Sequence, residues 1–184
     1  MKHTETVCQI IFKFVKTTKM KAKVIFNTDE QAATVYIMKI LNAKATEVWS
    51  YFTDASLLER WWAPAPWKAA TLEMNFSPGG TWKYKMTNPE NQKQFAGLKF
   101  HEINSGRSFD FTDFMADEHG KINPLIPTSN WLVGFTGVEE GMKLTINIHF
   151  GSEEEMKTLM QLGFEERVLK SLEQLENILE NPEN

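Results

Sequence analysis

The chain has 184 residues, of which 42% are hydrophobic and 24% charged, proportions that are ordinary for one globular domain. Its formal net charge of -4 at pH 7 has the wrong sign for a protein that binds nucleic acid through the phosphates. No stretch approaches the roughly 18 uninterrupted apolar residues of a membrane span, and a single cysteine excludes an internal disulfide. We expect a cytoplasmic protein without a signal peptide.

The first 19 residues form a leader that admits two interpretations. Cys8, Ile10, Phe12 and Phe14 alternate with polar residues, as in an edge strand, but the surrounding lysines and threonines equally suit a disordered segment. We expect a single domain over residues 20–184. It begins with a hairpin in which residues 24–26 and 34–41 form the strands.

A short helix is predicted over residues 46–60, with Thr46 as its cap. It leads into Trp61-Trp62-Ala63-Pro64. Two adjacent indoles cannot share one face of a helix or strand, so the chain has to fold around them. They form either a corner of the core or the aromatic wall of a ligand cavity.

A second hairpin follows, with strands at residues 71–76 and 81–86. Pro78 and Gly79 occupy the central positions of a type II turn, because glycine adopts the positive φ that such a turn requires. Alternation predicts one apolar face per strand. These faces comprise Leu72, Met74 and Phe76 in the first strand, and Trp82, Tyr84 and Met86 in the second.

Four more strands are predicted at residues 95–103, 108–115, 131–136 and 143–150, separated by polar and glycine-containing turns. Together they form an antiparallel meander. Residues 123–130 contain Pro124 and Pro127 and are predicted to form a loop over a pocket mouth.

The chain ends in a helix predicted to run unbroken for about 29 residues from the cap Ser152, because apolar residues recur there at spacings of three and four. Gly163 falls on its buried stripe, where glycine costs about 1 kcal/mol relative to alanine. We therefore expect a neighbouring group to need the space beside Gly163.

The order of these elements and a set of short motifs resemble a known family. The motifs are Ala45-Thr46-Glu47-Val48-Trp49, Trp61-Trp62-Ala63-Pro64, Pro78-Gly79-Gly80-Thr81-Trp82, Gly97, Glu102-Ile103, Thr145, Gly163, Leu172 and Leu175. The chain resembles bacterial-type relatives of the C-terminal domain of the activator of heat-shock-protein-90 ATPase, within the SRPBCC superfamily of START-like and polyketide-cyclase-like proteins. Arg167 stands where the family often has a second helix glycine.

This resemblance implies an α+β helix-grip fold, in which a curved antiparallel sheet of six or seven strands wraps around a long C-terminal helix. A short helical segment follows the first family strand. The resemblance also implies a hydrophobic cavity between sheet and helix, of the kind that binds lipids or polyketides in relatives.

Three functions follow as alternatives. The first is binding of a small hydrophobic molecule, lipid-like or polyketide-like. The second is a co-chaperone-like interaction with a chaperone, through an acidic helix face of Glu165, Glu166, Glu173 and Glu176. The third is an enzyme of the polyketide cyclase or dehydrase type, which would need converging polar groups in the cavity.

The residues themselves indicate no catalytic set, metal or cofactor. The four histidines are scattered without the spacing of metal ligands. Asp110, Asp113, Asp117 and Glu118 lack the glycine of a calcium loop and are better explained as a strand that ends in an acidic turn. Strand alternation and the helix stripe predict instead a ligand-binding cavity lined by Trp61, Trp82, Tyr84, Phe111, Trp131, Phe135, Met160 and Phe164.

Overall fold

The computed structural model describes residues 23–181, which form eight strands and four helices. The strands are β1 (Ile25–Asp29), β2 (Thr34–Leu41), β3 (Lys68–Met74), β4 (Thr81–Thr87), β5 (Lys93–Asn104), β6 (Ser108–Ala116), β7 (Ser129–Val138) and β8 (Gly141–Phe150). The helices are α1 (Ala45–Thr53), α2 (Ala55–Leu58), α3 (Glu153–Gln161) and α4 (Phe164–Glu180). None of these helices is both long and apolar enough to cross a lipid bilayer.

All eight strands belong to one antiparallel sheet with the order β1-β2-β8-β7-β6-β5-β4-β3. The strands from β3 to β8 form a meander, and β2 pairs with β8, so the N-terminal hairpin extends the same sheet. The α+β helix-grip fold is confirmed. The sheet has eight strands where six or seven were expected.

The hairpin between β3 and β4 has the predicted type II turn. Gly79 has a φ of 80°, and the N–H of Gly80 donates to the carbonyl oxygen of Ser77 at 2.8 Å. The prediction that Leu72 faces the core is wrong. The register shifts between Thr71 and Glu73, and this bulge leaves the Leu72 side chain exposed.

The predicted helix over residues 46–60 is divided in two. Thr46 lies inside the first turn of α1 and does not cap it. Asp54 separates α1 from α2, and its carboxylate accepts hydrogen bonds from the N–H groups of Ser56 and Leu57. Asp54 is therefore the cap of α2.

The prediction of one unbroken C-terminal helix is wrong as well. Ser152 caps α3 as predicted, but α3 ends before Leu162, and α4 begins after Gly163. Gly163 has a φ of 79°, and a Cβ atom placed there would meet no atom within 4 Å. The residue is required by the left-handed backbone between two helices, and no neighbouring group fills the space beside it.

The predictions for residues 1–19 lie outside the described residues.

Candidate functional site

The two adjacent tryptophans after α2 point to different partners. The indole N–H of Trp61 donates to the carbonyl oxygen of Tyr51 at 2.8 Å, and its ring packs on Phe52 with centroids 4.7 Å apart. The indole N–H of Trp62 donates to the hydroxyl of Tyr84 at 2.8 Å. Trp61 is therefore fixed to α1, whereas Trp62 is fixed to the sheet.

Two side chains of helix α4 bind the backbone of residues 61–67, which we call the tryptophan corner. The Gln174 amide nitrogen donates to the carbonyl oxygens of Trp61 at 2.9 Å and Ala63 at 2.8 Å. Its amide oxygen accepts from the N–H of Ala65 at 2.6 Å. The Ser171 hydroxyl donates to the carbonyl oxygen of Trp62 at 2.8 Å. The backbone N–H and C=O groups of the corner lie outside any helix or strand, so they have no regular hydrogen-bond partners. The bonds from Gln174 and Ser171 satisfy them and hold the corner against α4.

A cavity of about 490 Å³ lies between this corner, the sheet and the C-terminal helices. Its volume falls within the roughly 300–1,000 Å³ range of pockets for small ligands. The lining residues are predominantly aromatic and aliphatic, and they come from α1, the tryptophan corner, β4 to β8, the loop before β7, α3 and α4. Such a surface favours an apolar ligand.

Five of the eight predicted lining residues surround this cavity: Trp61, Tyr84, Phe111, Trp131 and Phe164. The other three lie elsewhere in the fold. Trp82 is fully buried, and its ring stacks on Tyr84 with centroids 4.2 Å apart. Phe135 packs against α1, and Met160 is half-buried against the core.

Several other apolar lining residues lie outside the predicted set of eight. They include Trp67 and Met86, Trp62, for which a cavity wall was one of the two interpretations, and Ile126 and Pro127. Ile126 and Pro127 lie in the predicted loop, which does reach the cavity.

Two charged residues in the cavity were also missed, Asp113 and Arg167. Asp113 follows Phe111 by two positions in β6, so strand alternation alone would have put both on the same face. For Arg167 the sequence shows only a departure from the pattern of the family that it resembles.

The Asp113 carboxyl is half-buried and hydrogen-bonded to the strand beside it. Its Oδ1 accepts from the backbone N–H of Ser129 at 2.6 Å and from the Ser129 hydroxyl at 2.8 Å. Burial raises the pKa of Asp113 to about 6, against the opposing effects of these hydrogen bonds and of the Arg167 charge. The cavity thus contains a carboxyl that changes protonation state near neutral pH.

Two further polar groups share the cavity with Asp113. Burial raises the pKa of Tyr84, so its hydroxyl keeps its hydrogen at physiological pH. Arg167 is exposed on α4, lines the cavity, and makes no ion pair within 4.0 Å among residues 23–181. Being both exposed and part of the lining, Arg167 lies at the opening of the cavity.

Comparison with known proteins shows where this architecture recurs. The family model described as Activator of Hsp90 ATPase homolog 1-like protein matches residues 42–180. No curated protein matches the chain.

Solved structures show the same fold. The solution structure of a protein from Arthrobacter aurescens is 31% identical, with a TM-score of 0.82 over 87% of this chain and 93% of that one. A crystal structure from Mycobacterium smegmatis is 26% identical, with a TM-score of 0.78 over 85% and 97% of the two chains. The AHSA1 protein from Silicibacter pomeroyi, at 20% identity and a TM-score of 0.65 over 80% and 97%, shares the fold.

Proposed function

The chain belongs to the family of activator of Hsp90 ATPase homolog 1-like proteins, and from this premise we propose that it binds a small hydrophobic molecule, lipid-like or polyketide-like. The binding site is the cavity between the sheet and the C-terminal helices. The observation that carries this proposal is the volume of about 490 Å³ enclosed by mainly aromatic and aliphatic side chains.

The aromatic rings around the cavity support a ligand with a flat or unsaturated body. Trp62 packs edge-on against Phe111 with centroids 6.3 Å apart and lies 6.4 Å from Trp131. Phe111 and Trp131 stack on each other at 5.5 Å. Fixed rings of this kind present large apolar faces at little cost in conformational entropy.

A neutral fluorescent dye tests whether the cavity takes up apolar molecules. Nile red should bind the purified protein with a blue-shifted emission. Val168→Trp places an indole into the lining of the cavity and should abolish this signal. Ile178→Trp, on the same helix but outside the lining, is the matched control and should bind the dye like the unmodified protein. Equal dye binding by both variants would contradict the proposal.

Native mass spectrometry of the protein purified from its own host would identify the ligand class. A retained molecule with an apolar body supports binding as the function. Conversion of that molecule into a product of different mass, with loss of conversion in Asp113→Asn, would instead indicate an enzyme of the polyketide cyclase or dehydrase type.

A co-chaperone-like interaction is the second candidate, and the description of the matching family favours it. Glu165, Glu166 and Glu173 are exposed on α4 and would supply the acidic face. Glu176 does not belong to this face, because it is buried and paired with Lys39 at 3.0 Å.

Capture of Hsp90 from host lysate at low salt, weakened by added salt and by the triple change of the exposed glutamates to glutamine, would support this candidate. The absence of Hsp90 at low salt and near-stoichiometric loading would count against it.

A further inference from the structure

Two side chains that line the cavity carry hydrogen-bond donors that no other described residue uses. The Tyr84 hydroxyl already accepts the Trp62 N–H, so its own hydrogen remains available. Arg167 has only donors and forms no ion pair among residues 23–181. Both side chains line the same cavity.

Asp113 supplies the third donor once the cavity is filled. Both of its hydrogen bonds from Ser129 reach Oδ1, and Oδ2 accepts none from another described residue. A ligand that displaces the water around this half-buried carboxyl desolvates it further, which favours the neutral form. The neutral carboxyl then donates from Oδ2.

The positively charged group of the cavity, the Arg167 guanidinium, lies at its opening. Arg167 is exposed there, and its charge lowers the pKa of both Asp113 and Tyr84, so the guanidinium acts on both groups. A cationic ligand would be repelled by this guanidinium, and a purely apolar one would leave the buried Tyr84 hydroxyl without an acceptor. An anionic oxygen group satisfies all three donors.

We propose that the ligand is a carboxylic acid with a flat apolar body, whose ionised carboxylate is bound by the Arg167 guanidinium and by the hydroxyl donors of Asp113 and Tyr84. The body lies among Trp62, Phe111 and Trp131. This inference rests on the proposed function and specifies the polar end of the ligand. Guanidinium and carboxylate form paired, charge-assisted hydrogen bonds, which are stronger than neutral ones.

Three probes with the same ring and chain test the polar group alone. They are 2-naphthylacetic acid, 2-(2-naphthyl)ethanol and 2-(2-naphthyl)ethylamine, titrated calorimetrically into the full chain at pH 6.5. The acid should bind at least about tenfold more tightly than the alcohol or the amine, as expected for charged hydrogen bonds.

Two variants of α4 locate the effect. Arg167→Gln should weaken binding of the acid by about tenfold or more and leave the alcohol unchanged, since the removed charge serves only the carboxylate. Lys170→Gln, on the same helix and outside the lining, should change neither probe.

The affinity for the acid should also fall as the pH rises above about 6, by at most about tenfold per pH unit, because the complex holds Asp113 protonated. The titratable and charged groups that face Asp113 are Tyr84 on β4 and Arg167 on α4, and the raised pKa of Tyr84 keeps its hydroxyl protonated throughout this range. Asp113→Asn keeps a donor at every pH and should make the affinity independent of pH.

The outcomes separate this inference from the proposed function. If the alcohol or amine binds as tightly as the acid, or Arg167→Gln weakens all probes equally, the carboxylate proposal is overturned while binding of apolar molecules stands. If Nile red binds and the acid does not, the carboxylate proposal is overturned too. If neither the dye nor any probe binds, both proposals fail.

Discussion

At the scale of single residues, Asp113 links the protonation state of the cavity to the stability of the fold. Burial raises the pKa of this carboxyl from 3.8 to about 6, so the folded state holds the proton more tightly than the unfolded state does. Its contribution to stability is therefore greatest at low pH, and it is lost as the pH rises between about 4 and 6.

Asp113→Asn should remove this dependence, since the amide keeps the shape of the side chain without its charge. The free energy of unfolding of the variant, relative to that of the unmodified protein, should increase by about 2–3 kcal/mol from pH 4 to pH 7. Urea unfolding of both proteins across this range measures the difference. A difference that does not change with pH would show that the carboxyl titrates normally in the folded state.

Gly163 is a second residue whose effect is local, and its backbone conformation decides the result of substitution. Its φ of 79° is unfavourable for residues with a Cβ, although the surrounding space is open. Gly163→Ala should therefore destabilise the protein by about 1–2 kcal/mol. Gly163→Asn should cost less, since asparagine tolerates the left-handed region.

Denaturant unfolding of both Gly163 variants checks this comparison. An alanine variant more stable than the unmodified protein would mean that α3 and α4 join into one helix in solution.

At the scale of elements, a buried ion pair joins β2 to α4. The Lys39 ammonium lies 3.0 Å from a Glu176 carboxylate oxygen, and both side chains are less than a tenth exposed. Removing one partner leaves a buried charge without its counter-charge. The pair therefore fixes how α4 lies against the sheet, although it need not add net stability.

A single and a double variant test this role. Glu176→Gln alone should destabilise the protein by about 3–5 kcal/mol, the usual cost of breaking a buried pair. The double variant Lys39→Met, Glu176→Leu should recover most of that loss, because two apolar side chains of similar volume need no desolvated charge. The measurement is the free energy of unfolding of the single and double variants. Equal losses of stability in both would mean that packing, and not the charge left by the single variant, causes the destabilisation.

At the scale of the whole molecule, residues 23–181 contain an eight-stranded sheet and the helices that cover it. The eight strands are joined without a gap in the ladder from β1 to β3. We therefore expect residues 1–19 to be dispensable for this fold.

A chain beginning at Met20 should melt within a few degrees of the full chain. A loss of about 10 °C or more, which corresponds to about 2.5–5 kcal/mol for a domain of this size, would mean that Cys8, Ile10, Phe12 and Phe14 pair with the sheet. Thermal unfolding of both chains, with full-length Ile10→Ser, Phe12→Ser as the control, provides the measurement.

Local patterns in the sequence were sufficient for most of the sheet. The type II turn at Pro78 and Gly79 follows from backbone preferences of those two residues, and the buried positions of Trp82 and Tyr84 follow from alternation. Alternation could not predict the exposure of Leu72, because a bulge reverses the alternation there and the spacing of apolar residues does not reveal the bulge.

The sequence by itself determined the order of the strands and the apolar face of most of them, because both depend on short-range periodicity and turn chemistry, and the fold class followed from the resemblance to a known family. Only the tertiary structure decided which of the buried rings line a cavity and which fill the core. Periodicity assigns a side chain to a face but does not give its depth beneath the covering helices, so Trp82 and Tyr84 share a face and differ in role. That Asp113 and Arg167 line the same cavity was likewise decided by how the sheet and α4 pack.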